Sequence, residues 1–573
     1  WTSADAELGA DSLLVITNGG VGTSSSAIIG FGNNSEVVVS GEDSLWTIEN
    51  DLVVGLGGTG NSLSLEHGGL VEVGGTLSLA NSQLSIDSGS AVMVDNYYQD
   101  ASSTLTFDSV STQGLITASS DAEFEAGASI AFTGSISNIS IGVINSQLLV
   151  SSDELIVDGN SNVTSNNLDT INVEMSNNLF SYDLYADNND LYVDFYRHAL
   201  SSSAGFEPGT EMYEISGEID GLSTNGSEAA VNQLIILGQM SAGVDGEQNA
   251  QLRQLYERNA PTFMHMEGLY EGMRQVKRNG VMPDSMWPVG AAGPHLYGDQ
   301  VRGWVKGYGS WASQDGDGSY SSYDQDIFGV VVGFDKAFGD LLVGLAGGYT
   351  MSDISQDDGD QSESSTGFGM LYSSWGSSAW FLDGSLAFGM GSVENETGTQ
   401  FDTSAEFDAN QLAFYLGGGK ELLYLDDRLI VTPSAGILGG LYMQEGYTEQ
   451  ADNAIARKVD DYNRFSFRSE FGVQAIFHKH LKKFVLMPET HVNWLHEFND
   501  DEDQVDFSLV GGTGSYSFGM QAPVSDILEV GVGLSLWAES RNNVVYEWAL
   551  GFDSRFGDGY SANAINARLV VEF

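Results

Sequence analysis

The chain has 573 residues and a formal net charge of −58, with 71 glycines, 8 prolines and no cysteine. Between Trp1 and Ala250 the only lysine or arginine is Arg197. Because such an acidic surface repels phosphates, the charge excludes nucleic acid as a partner. Without cysteine, the chain has neither disulfides nor thiolate metal sites.

The sequence as given shows neither the apolar run of a membrane-spanning helix nor the pattern of a signal peptide. No run approaches the roughly 18 consecutive apolar residues of a membrane-spanning helix. The start, WTSADAE, has neither a basic region nor an apolar core. We therefore expect that a signal was removed, or that the sequence is the C-terminal part of a longer precursor.

Residues 1–197 consist of short apolar runs separated by Gly, Asn, Ser and Asp. Examples are EVVVS, SLWTI, SLSLE, TLSLA and QLSID. Short strands at even spacing, with turn residues between them, predict the stacked coils of a parallel β-helix with an apolar ladder inside. A β-sandwich would show the same strands with less regular loops, and it stays the alternative.

Residues 198–299 change to a helical pattern. SEAAVNQLIILGQMSA, EQNAQLRQLYERNA and APTFMHMEGLYEGMRQVKRNG have the apolar spacing of helices. In the last segment Pro261 stands near the expected start and Gly280 just after the expected end. We interpret this region as the end of the N-terminal domain followed by an α-helical linker.

Residues 300–573 contain longer strands with one apolar, aromatic face and one face of Gly, Asp, Glu, Asn and Arg. In the last strand Ile565, Ala567, Leu569, Val571 and Phe573 share the apolar face. A membrane β-barrel needs this pattern, with lipid outside and a polar lumen inside. We predict about twelve antiparallel strands, each longer than the roughly 9–11 residues of a tilted spanning strand.

The connections between these strands alternate in length. Short ones such as DKAFGD, YLDDR and HKHLKK separate long acidic ones such as SQDGDGSYSSYDQ and EGYTEQADNAIARKVDDYN. Outer-membrane barrels have this alternation of short periplasmic turns and long outer loops. The segment VDFSLVGGTGSYSFGM fits either a strand extension or a loop.

These segments resemble the type V autotransporters of Gram-negative outer membranes. GWVKGYGSWASQ, at Gly303, is similar to the first barrel strand of that family, and LMPETHVNWLHEF and LEVGVGLSLW to later ones. VVVSGEDSLWTIENDLVVGLGGTGNSLSLEHGGLVEVGG is similar to a repeat of autotransporter passengers. The resemblance covers nearly the whole chain.

The resemblance implies an all-β chain with three parts. They are a β-helical passenger remnant over 1–197, a passenger end with a pore helix over 198–299, and a twelve-stranded transmembrane barrel over 300–573. It also implies that the closing strand, with Leu569, Val571 and Phe573, carries the signal read by the barrel-assembly machinery.

A basic cluster on the predicted pore helix points to a lumen contact. Arg274, Lys277 and Arg278 lie on one side of this helix. If the helix occupies the lumen, inward carboxylates can pair with it; the candidates are Asp335, Asp383, Glu489, Glu529 and Glu547. The alternative is a solvated basic face. Asn279-Gly280 fits either chain cleavage by cyclisation, as in some autotransporters, or an ordinary turn.

Two binding motifs do not hold up in context. Gly55–Gly60 satisfies G-x-G-x-x-G, but NSLSLEHGG after it is no helix, so we interpret it as a β-helix turn. Asp315-Gly-Asp317-Gly-Ser319 is similar to a calcium loop, but Tyr320 stands where that loop needs glycine. We expect no cofactor and no specific metal site; acidic clusters such as Asp357, Asp358 and Asp360, or Asp500, Asp501 and Asp503, would bind divalent cations only weakly.

Nucleophilic catalysis also finds little support. A Ser-His-Asp triad needs a histidine, and the repeat region before His198 offers only His67. His491, His496 and Glu497 are expected near the outer rim of the barrel, where some outer-membrane hydrolases have their histidine and acidic residues. We predict no catalytic residues.

The sequence thus predicts an autotransporter in the bacterial outer membrane, whose barrel anchors and exports a non-enzymatic, acidic surface domain. That domain would be an adhesin or a structural surface protein. The alternatives are a porin-like channel with an accessory N-terminal domain and, third, a rim-sited hydrolase. The expected partners are outer-membrane lipid, the barrel-assembly machinery and surface partners or further copies of the chain.

Overall fold

The computed structural model divides the chain into two compact units, Trp1–Ala250 (unit 1) and Gln251–Phe573 (unit 2). It describes residues 1–109, 115–135, 141, 144–175, 177–257, 259–275, 301–316, 320–376, 380–398, 401, 403–426, 428–481, 484–539 and 545–572. Among these residues, no helix is both long and apolar enough to cross a membrane.

Unit 1 contains nineteen strands that form two mainly parallel sheets. They are β1 (Thr2–Leu8), β2 (Leu13–Thr17), β3 (Val21–Ile29), β4 (Glu36–Ser40), β5 (Leu45–Ile48), β6 (Leu52–Val54), β7 (Asn61–Glu66), β8 (Leu70–Leu79), β9 (Ser82–Ile86), β10 (Ala91–Gln99), β11 (Thr104–Ser109), β12 (Leu115–Ala118), β13 (Asp121–Phe124), β14 (Ser129–Ser135), β15 (Ile144–Ser151), β16 (Glu154–Val157), β17 (Asn172–Met175), β18 (Phe180–Asp187) and β19 (Asp190–Arg197).

The predicted β-helix is confirmed. One sheet runs in the order β2-β4-β7-β9-β11-β14-β17, with every pair parallel. Its register stacks Val37, Leu63, Leu84, Leu105 and Ile130, each with an exposed fraction of 0%. This apolar ladder forms because every coil places an aliphatic residue at the same inward position. The Gly55–Gly60 motif lies between β6 and β7, so no helix follows it.

The parallel stacking ends at an antiparallel hairpin, because β19 pairs with both β15 and β18 in the antiparallel sense. One short helix, α1 (Ser165–Leu168), precedes the β18–β19 hairpin. Four helices come after it: α2 (Leu200–Ser203), α3 (Glu211–Thr224), α4 (Glu228–Gly238) and α5 (Glu247–Tyr256). Thr210 caps α3 and Ser227 caps α4 through their hydroxyl oxygens. The sequence pattern identified α4 and α5 but not α3.

The boundary between the units falls inside α5, and unit 2 then continues with a short 3₁₀ helix, η1 (Thr262–His265), and with α6 (Met266–Arg274). Its wall consists of twelve strands: β20 (Val301–Gln314), β21 (Tyr323–Phe338), β22 (Leu341–Gln356), β23 (Gln361–Gly376), β24 (Trp380–Glu396), β25 (Thr403–Lys420), β27 (Leu429–Gln444), β31 (Tyr462–Phe477), β33 (Phe484–Glu497), β36 (Asp526–Glu539), β37 (Val545–Gly557) and β38 (Tyr560–Glu572).

The predicted twelve-stranded antiparallel barrel is confirmed, and it is closed. The last strand, β38, pairs with the first, β20, over the register Arg302↔Glu572 to Gln314↔Tyr560. Leu345 and Leu550 illustrate the outward face, with exposed fractions of 65% and 62%, whereas Arg555 and Glu547 are buried on the inward face. The alternation therefore places lipid-facing residues outside and charged residues inside.

The remaining short strands are β26 (Leu422–Tyr424), β28 (Tyr447–Thr448), β29 (Gln450–Ala451), β30 (Arg457–Val459), β32 (Lys479–Leu481), β34 (Asp503–Leu509) and β35 (Tyr516–Met520). Four of them form a separate sheet in the order β28-β30-β34-β35, which we call the loop sheet. The segment VDFSLVGGTGSYSFGM is therefore mostly a hairpin of this sheet, rather than an extension of a wall strand.

Candidate functional site: the helix in the barrel lumen

The candidate site is the barrel lumen, which η1 and α6 occupy. We call residues 262–274 the lumen helix. Pro261 stands at its N-cap position, and nearly every residue along it is buried. A helix buried on all sides against a polar wall has to satisfy its polar groups by specific contacts.

The wall leaves room for the lumen helix at glycines. A Cβ at Gly440 would lie 2.2 Å from the Tyr270 hydroxyl oxygen, and a Cβ at Gly272 would lie 2.6 Å from the Phe368 ring. Real side chains cannot approach so closely, so both positions require glycine for the observed packing. The helix and wall are thus fitted to each other from both sides.

Charged residues join the C-terminal end of the lumen helix to the wall. Arg274 Nη1 lies 2.6 Å from Glu529 Oε2. Arg555 bridges the same carboxylate and the helix, with Nε 2.8 Å from Glu529 and Nη1 2.5 Å from Glu271. All four side chains are largely buried, so each charge depends on the others for compensation.

A second ion-pair group lies one helical turn earlier. Arg468 pairs with Glu267 of the helix, and its Nε lies 2.9 Å from Glu497. The Arg468 guanidinium also stands 5.1 Å from the centre of the Tyr270 ring. Glu267 and Glu271, four residues apart, therefore face two wall arginines from one side of the helix.

Uncharged groups hold the N-terminal part. The ring nitrogens of His265 lie 2.9 Å from Ser352 Oγ and 2.8 Å from Ser362 Oγ. The Ser362 hydroxyl donates to Asn395 Oδ1 at 2.5 Å. His265 Nε2 is therefore the donor to Ser362 and Nδ1 the acceptor from Ser352. The imidazole is neutral in this arrangement.

The loop sheet contacts the chain just before the lumen helix. Tyr256 stacks on Phe507, with ring centres 6.4 Å apart, and its hydroxyl donates to the Ile455 carbonyl at 2.9 Å. The Gly519 amide donates to the Glu257 carbonyl at 3.1 Å. Outer loops thus hold the chain where it meets the barrel mouth.

The predicted site residues take different positions. Among the described residues, the structure brings together one predicted pair, Arg274 with Glu529. Asp335 instead accepts from Arg302 at 2.6 Å, and Glu547 pairs with Arg568. Asp383 accepts from Ser374 and Glu489 from Gln474. Leu569 and Val571 lie on the outward face of β38. Lys277, Arg278, Asn279, Gly280 and Phe573 lie outside the described residues.

A cavity of about 240 Å³ lies beside the end of the lumen helix. Arg274 lines it together with three of the predicted carboxylates, Asp383, Glu489 and Glu529. Whether Lys277 and Arg278 pair with these carboxylates stays a prediction.

The expectation for His491 was wrong in position. His491 lies midway along β33 and faces this cavity, with Nε2 3.1 Å from Asp553 and 3.6 Å from Glu529. His496 and Glu497 lie at the rim but on opposite faces, because successive strand residues alternate. His496 contacts Asp526 outside, whereas Glu497 is buried against Arg468. They cannot act on one substrate.

Sequence reasoning missed four residues of the site, namely Glu267, Glu271, Arg468 and Arg555. It assigned basic residues to the helix and acidic residues to the wall. In the structure the helix also supplies acidic residues, and the wall also supplies arginines. The signal was available, since Arg468 and Arg555 stand at inward positions of a chain with only 21 basic residues.

Comparisons with known proteins agree with this architecture. The family model described as autotransporter beta-domain matches residues 303–546. Residues 303–546 are an autotransporter β-domain. The chain is 26% identical over 292 residues to outer membrane protein B of Rickettsia typhi, and 23% identical over 292 residues to an extracellular serine protease of Serratia marcescens.

These matches cover 47% and 48% of the chain, but only 17% and 26% of the two relatives, so the chain spans a minor part of their length. Among solved structures, the translocator domain of the autotransporter NalP from Neisseria meningitidis is similar, at 14% identity and a TM-score of 0.39. That match covers 55% of this chain and 96% of the NalP domain. The chain therefore carries an outer-membrane β-barrel translocator domain of the autotransporter family.

Proposed function

We propose that this autotransporter anchors and exports a non-enzymatic, acidic β-helical domain that stands at the cell surface as an adhesin or structural protein. The observation that carries the proposal is the path of the chain through unit 2. Gln254 donates to the Asp358 carbonyl in an outer loop, the lumen helix follows, and the first wall strand begins at Val301 at the opposite, short-turn end. We infer from this path that the chain before Gln254 leaves the barrel mouth on the outer side.

Protease treatment of intact cells tests this path. A protease added outside should remove unit 1 and leave the barrel as a protected fragment that is heat-modifiable on gels. If unit 1 resists until the outer membrane is opened, the proposed topology is wrong. Cells with a periplasmic marker serve as the control for membrane integrity.

The main alternative is a porin-like channel, and ion conductance in planar bilayers distinguishes the two. A barrel filled by the lumen helix should conduct little, and deleting residues 262–280 should raise the conductance. Glu271→Gln, which removes the helix partner of Arg555 and leaves only its wall partner Glu529, should produce transient openings. Its control is Glu257→Gln, because Glu257 belongs to an ion pair with a side-chain exposure of 41%. High conductance of the parent chain would favour the porin.

For the repeat region before His198, the non-enzymatic assignment is supported by the surroundings of His67. Its Nδ1 lies 3.4 Å from Ser40 Oγ, but Asp87 accepts a hydrogen bond from the His67 backbone amide instead of orienting the ring. A triad needs the carboxylate on the imidazole. A fluorophosphonate probe should therefore leave Ser40 unlabelled, and labelling lost in His67→Ala would contradict the proposal. For the rim alternative, His496→Ala should change no hydrolysis.

The closing strand and the acidic loops complete the proposal. Deleting Phe573 should lower surface levels in cells, where the barrel-assembly machinery reads the last strand, but should hardly change refolding into detergent micelles. Equal loss in both would assign Phe573 to packing alone.

Adhesion and self-association of cells that display the full chain, compared with cells that display residues 251–573, test the surface partner. Added Mg²⁺ tests weak cation binding by the loops.

A further inference from the structure

The outer wall of the barrel separates its charges along the barrel axis. Outward-facing acids occupy the end that carries the long loops; they are Asp324, Asp326, Asp353, Glu363, Glu394, Glu396, Glu406, Asp408 and Asp526. The two outward-facing lysines of the described wall strands, Lys336 and Lys420, both lie at the short-turn end. In an outer-membrane barrel this end is periplasmic, so the lysines face the inner leaflet.

Each of these lysines is paired with an exposed aromatic ring. Lys420 lies directly opposite Trp380 in the β24–β25 register, with Nζ 5.2 Å from the centre of the indole. Lys336 Nζ lies 5.6 Å from the Phe338 ring. Trp380 and Phe338 are 57% and 60% exposed. Aromatic rings at a barrel rim sit at headgroup level, so both ammonium groups are held at that level.

Apolar side chains continue from each pair toward the middle of the membrane. Leu382 and Leu416 follow Trp380 and Lys420 on the outward face, and both are 54% exposed. Phe334 follows Lys336 and is 57% exposed. Each lysine therefore stands at the end of a row of exposed apolar side chains, the apolar track, and not in an isolated patch of charge.

We propose that Lys420 with Trp380, and Lys336 with Phe338, bind the headgroup phosphate of anionic phospholipid in the inner leaflet. An ammonium group is a compact charge with three donors, which suits a phosphate. The ring orients the lysine stem, and the apolar track receives the acyl chain. We commit to a lipid and not to a free anion because a free phosphate would leave the adjoining apolar track unused.

The turns at this end carry charges of both signs. The test has to distinguish their effect on lipid binding from the effect of the wall lysines. Arg428 and Lys479 are exposed there, and so are Asp340 and Asp426. These turn residues lie outside the wall strands that carry Lys336 and Lys420. We assign the site to the two wall lysines, and the variants in the test address these two lysines.

The test uses the full chain in nanodiscs containing equal amounts of phosphatidylglycerol and phosphatidylcholine. Native mass spectrometry counts the lipid molecules that stay bound after the protein is released from the nanodisc. The parent chain should retain phosphatidylglycerol in excess, and Lys420→Gln should reduce the excess by about fivefold, from the contribution of one cation near an anionic surface. Lys336→Gln should add a similar loss. Trp380→Ala should give part of the Lys420→Gln effect.

The matched control is Lys458→Gln, because Lys458 is an exposed lysine of the loop sheet, at the other end of the barrel. It should retain the parent preference. An unchanged excess in the double lysine variant would overturn the proposal, as would an equal loss in Lys458→Gln. If excess inorganic phosphate removes the preference, the site binds anions in general and the lipid assignment is wrong. Heat-modifiable mobility shows that each variant is folded.

Discussion

The β-helix of unit 1 and the β-barrel of unit 2 have the same alternation of side chains but bury opposite faces. In the β-helix Leu63 and Leu84 are fully buried and the charges are outside, whereas in the barrel Leu345 and Leu550 are exposed and Arg555 is buried. The difference lies in the solvent of the outer face, which is water for the first and lipid for the second. Alternation alone therefore predicts a strand, but it does not predict which face of the strand is buried.

The comparison also concerns how each region treats a buried charge. In unit 2 the lumen collects arginines and carboxylates into connected groups, as around Glu529. In unit 1 the single arginine, Arg197, is buried with Asp220, at 2.8 Å and with 4% side-chain exposure for each. Asp220 also accepts from the Leu200 amide, so the pair joins β19 to α2 and α3.

The largest effect is expected when this isolated pair is broken. Arg197→Met leaves Asp220 as an uncompensated buried charge, which should cost roughly 3–5 kcal/mol of the free energy of unfolding of unit 1. The control is Arg253→Gln in unit 2, which breaks a half-exposed pair with Glu257. It should cost about 0–1 kcal/mol in unit 2 and leave the unfolding of unit 1 unchanged. Urea-dependent pulse proteolysis of the full chain measures both. Equal effects would show that the Arg197 pair is not structurally special.

The second prediction tests which face of the barrel meets lipid. Leu550 lies near the middle of β37 and points outward. Leu550→Lys should destabilise the refolded barrel in lipid vesicles by about 2–4 kcal/mol, because a charge is then placed at the bilayer midplane. Leu550→Ile keeps the apolar surface and should cost little. If Leu550→Lys is tolerated as well as Leu550→Ile, this strand does not face lipid.

Most of the fold followed from sequence because its signals are local. The alternation along each strand places Glu529 and Glu547 on the face opposite the apolar residues, and this polar face identifies the lumen. The turn residues mark the strand ends. The loop sheet did not follow, since β30 and β34 are brought together by the barrel wall, not by any nearby pattern. Helix α3 was not predicted because its sequence, EMYEISGEIDGLST, has two glycines and a weak apolar stripe.

The site followed only in part, since pairing across a lumen is a property of the closed barrel. The inward direction of Asp335 was readable, but its partner Arg302 lies on the neighbouring strand and outcompetes the helix. Nothing in the spacing of Glu267 and Glu271 tells which wall arginine each one meets. Those contacts depend on the strand order and stagger of the whole barrel.

A third prediction concerns pH at the outer mouth. Burial raises the pKa of Asp360 to about 6, and the nearby Asp358 carboxylate acts in the same direction. Hydrogen bonds from the Gly398 amide and Gln254 oppose this shift, as does Arg457 of the loop sheet. Since the folded-state pKa lies above the unfolded value of 3.8, this group contributes stability at low pH and loses it as pH rises through about 6.

The change from pH 4 to pH 7.5 is expected to be at most roughly 3 kcal/mol, since each pKa unit corresponds to about 1.4 kcal/mol. Asp360→Asn mimics the protonated group, so the difference in unfolding free energy between parent and variant should grow with pH over this interval. Asp357→Asn, an exposed residue of the same turn, should not reproduce it. A pH-independent difference for Asp360→Asn would contradict the shift.

The smallest effect is expected from the outward acids of the barrel. Asp326, Asp353, Glu363, Glu394 and Glu406 lie directly opposite one another across five neighbouring strands. Like charges in register repel, at a cost of the order of 0.2–1 kcal/mol per pair. Glu363→Gln removes two such contacts and should therefore stabilise the barrel in detergent micelles at low ionic strength.

High salt should abolish this gain, because exposed charges are screened within about 10 Å at 0.1 M. Asp324→Asn is the matched control, since Asp324 lies on the same outward face but opposite Ser313 and Ser355. It should leave the urea midpoint nearly unchanged at either salt concentration. If the stability gained in Glu363→Gln persists at high salt, the gain comes from packing. The repulsion between outward-facing acids would then not contribute to the stability of the barrel.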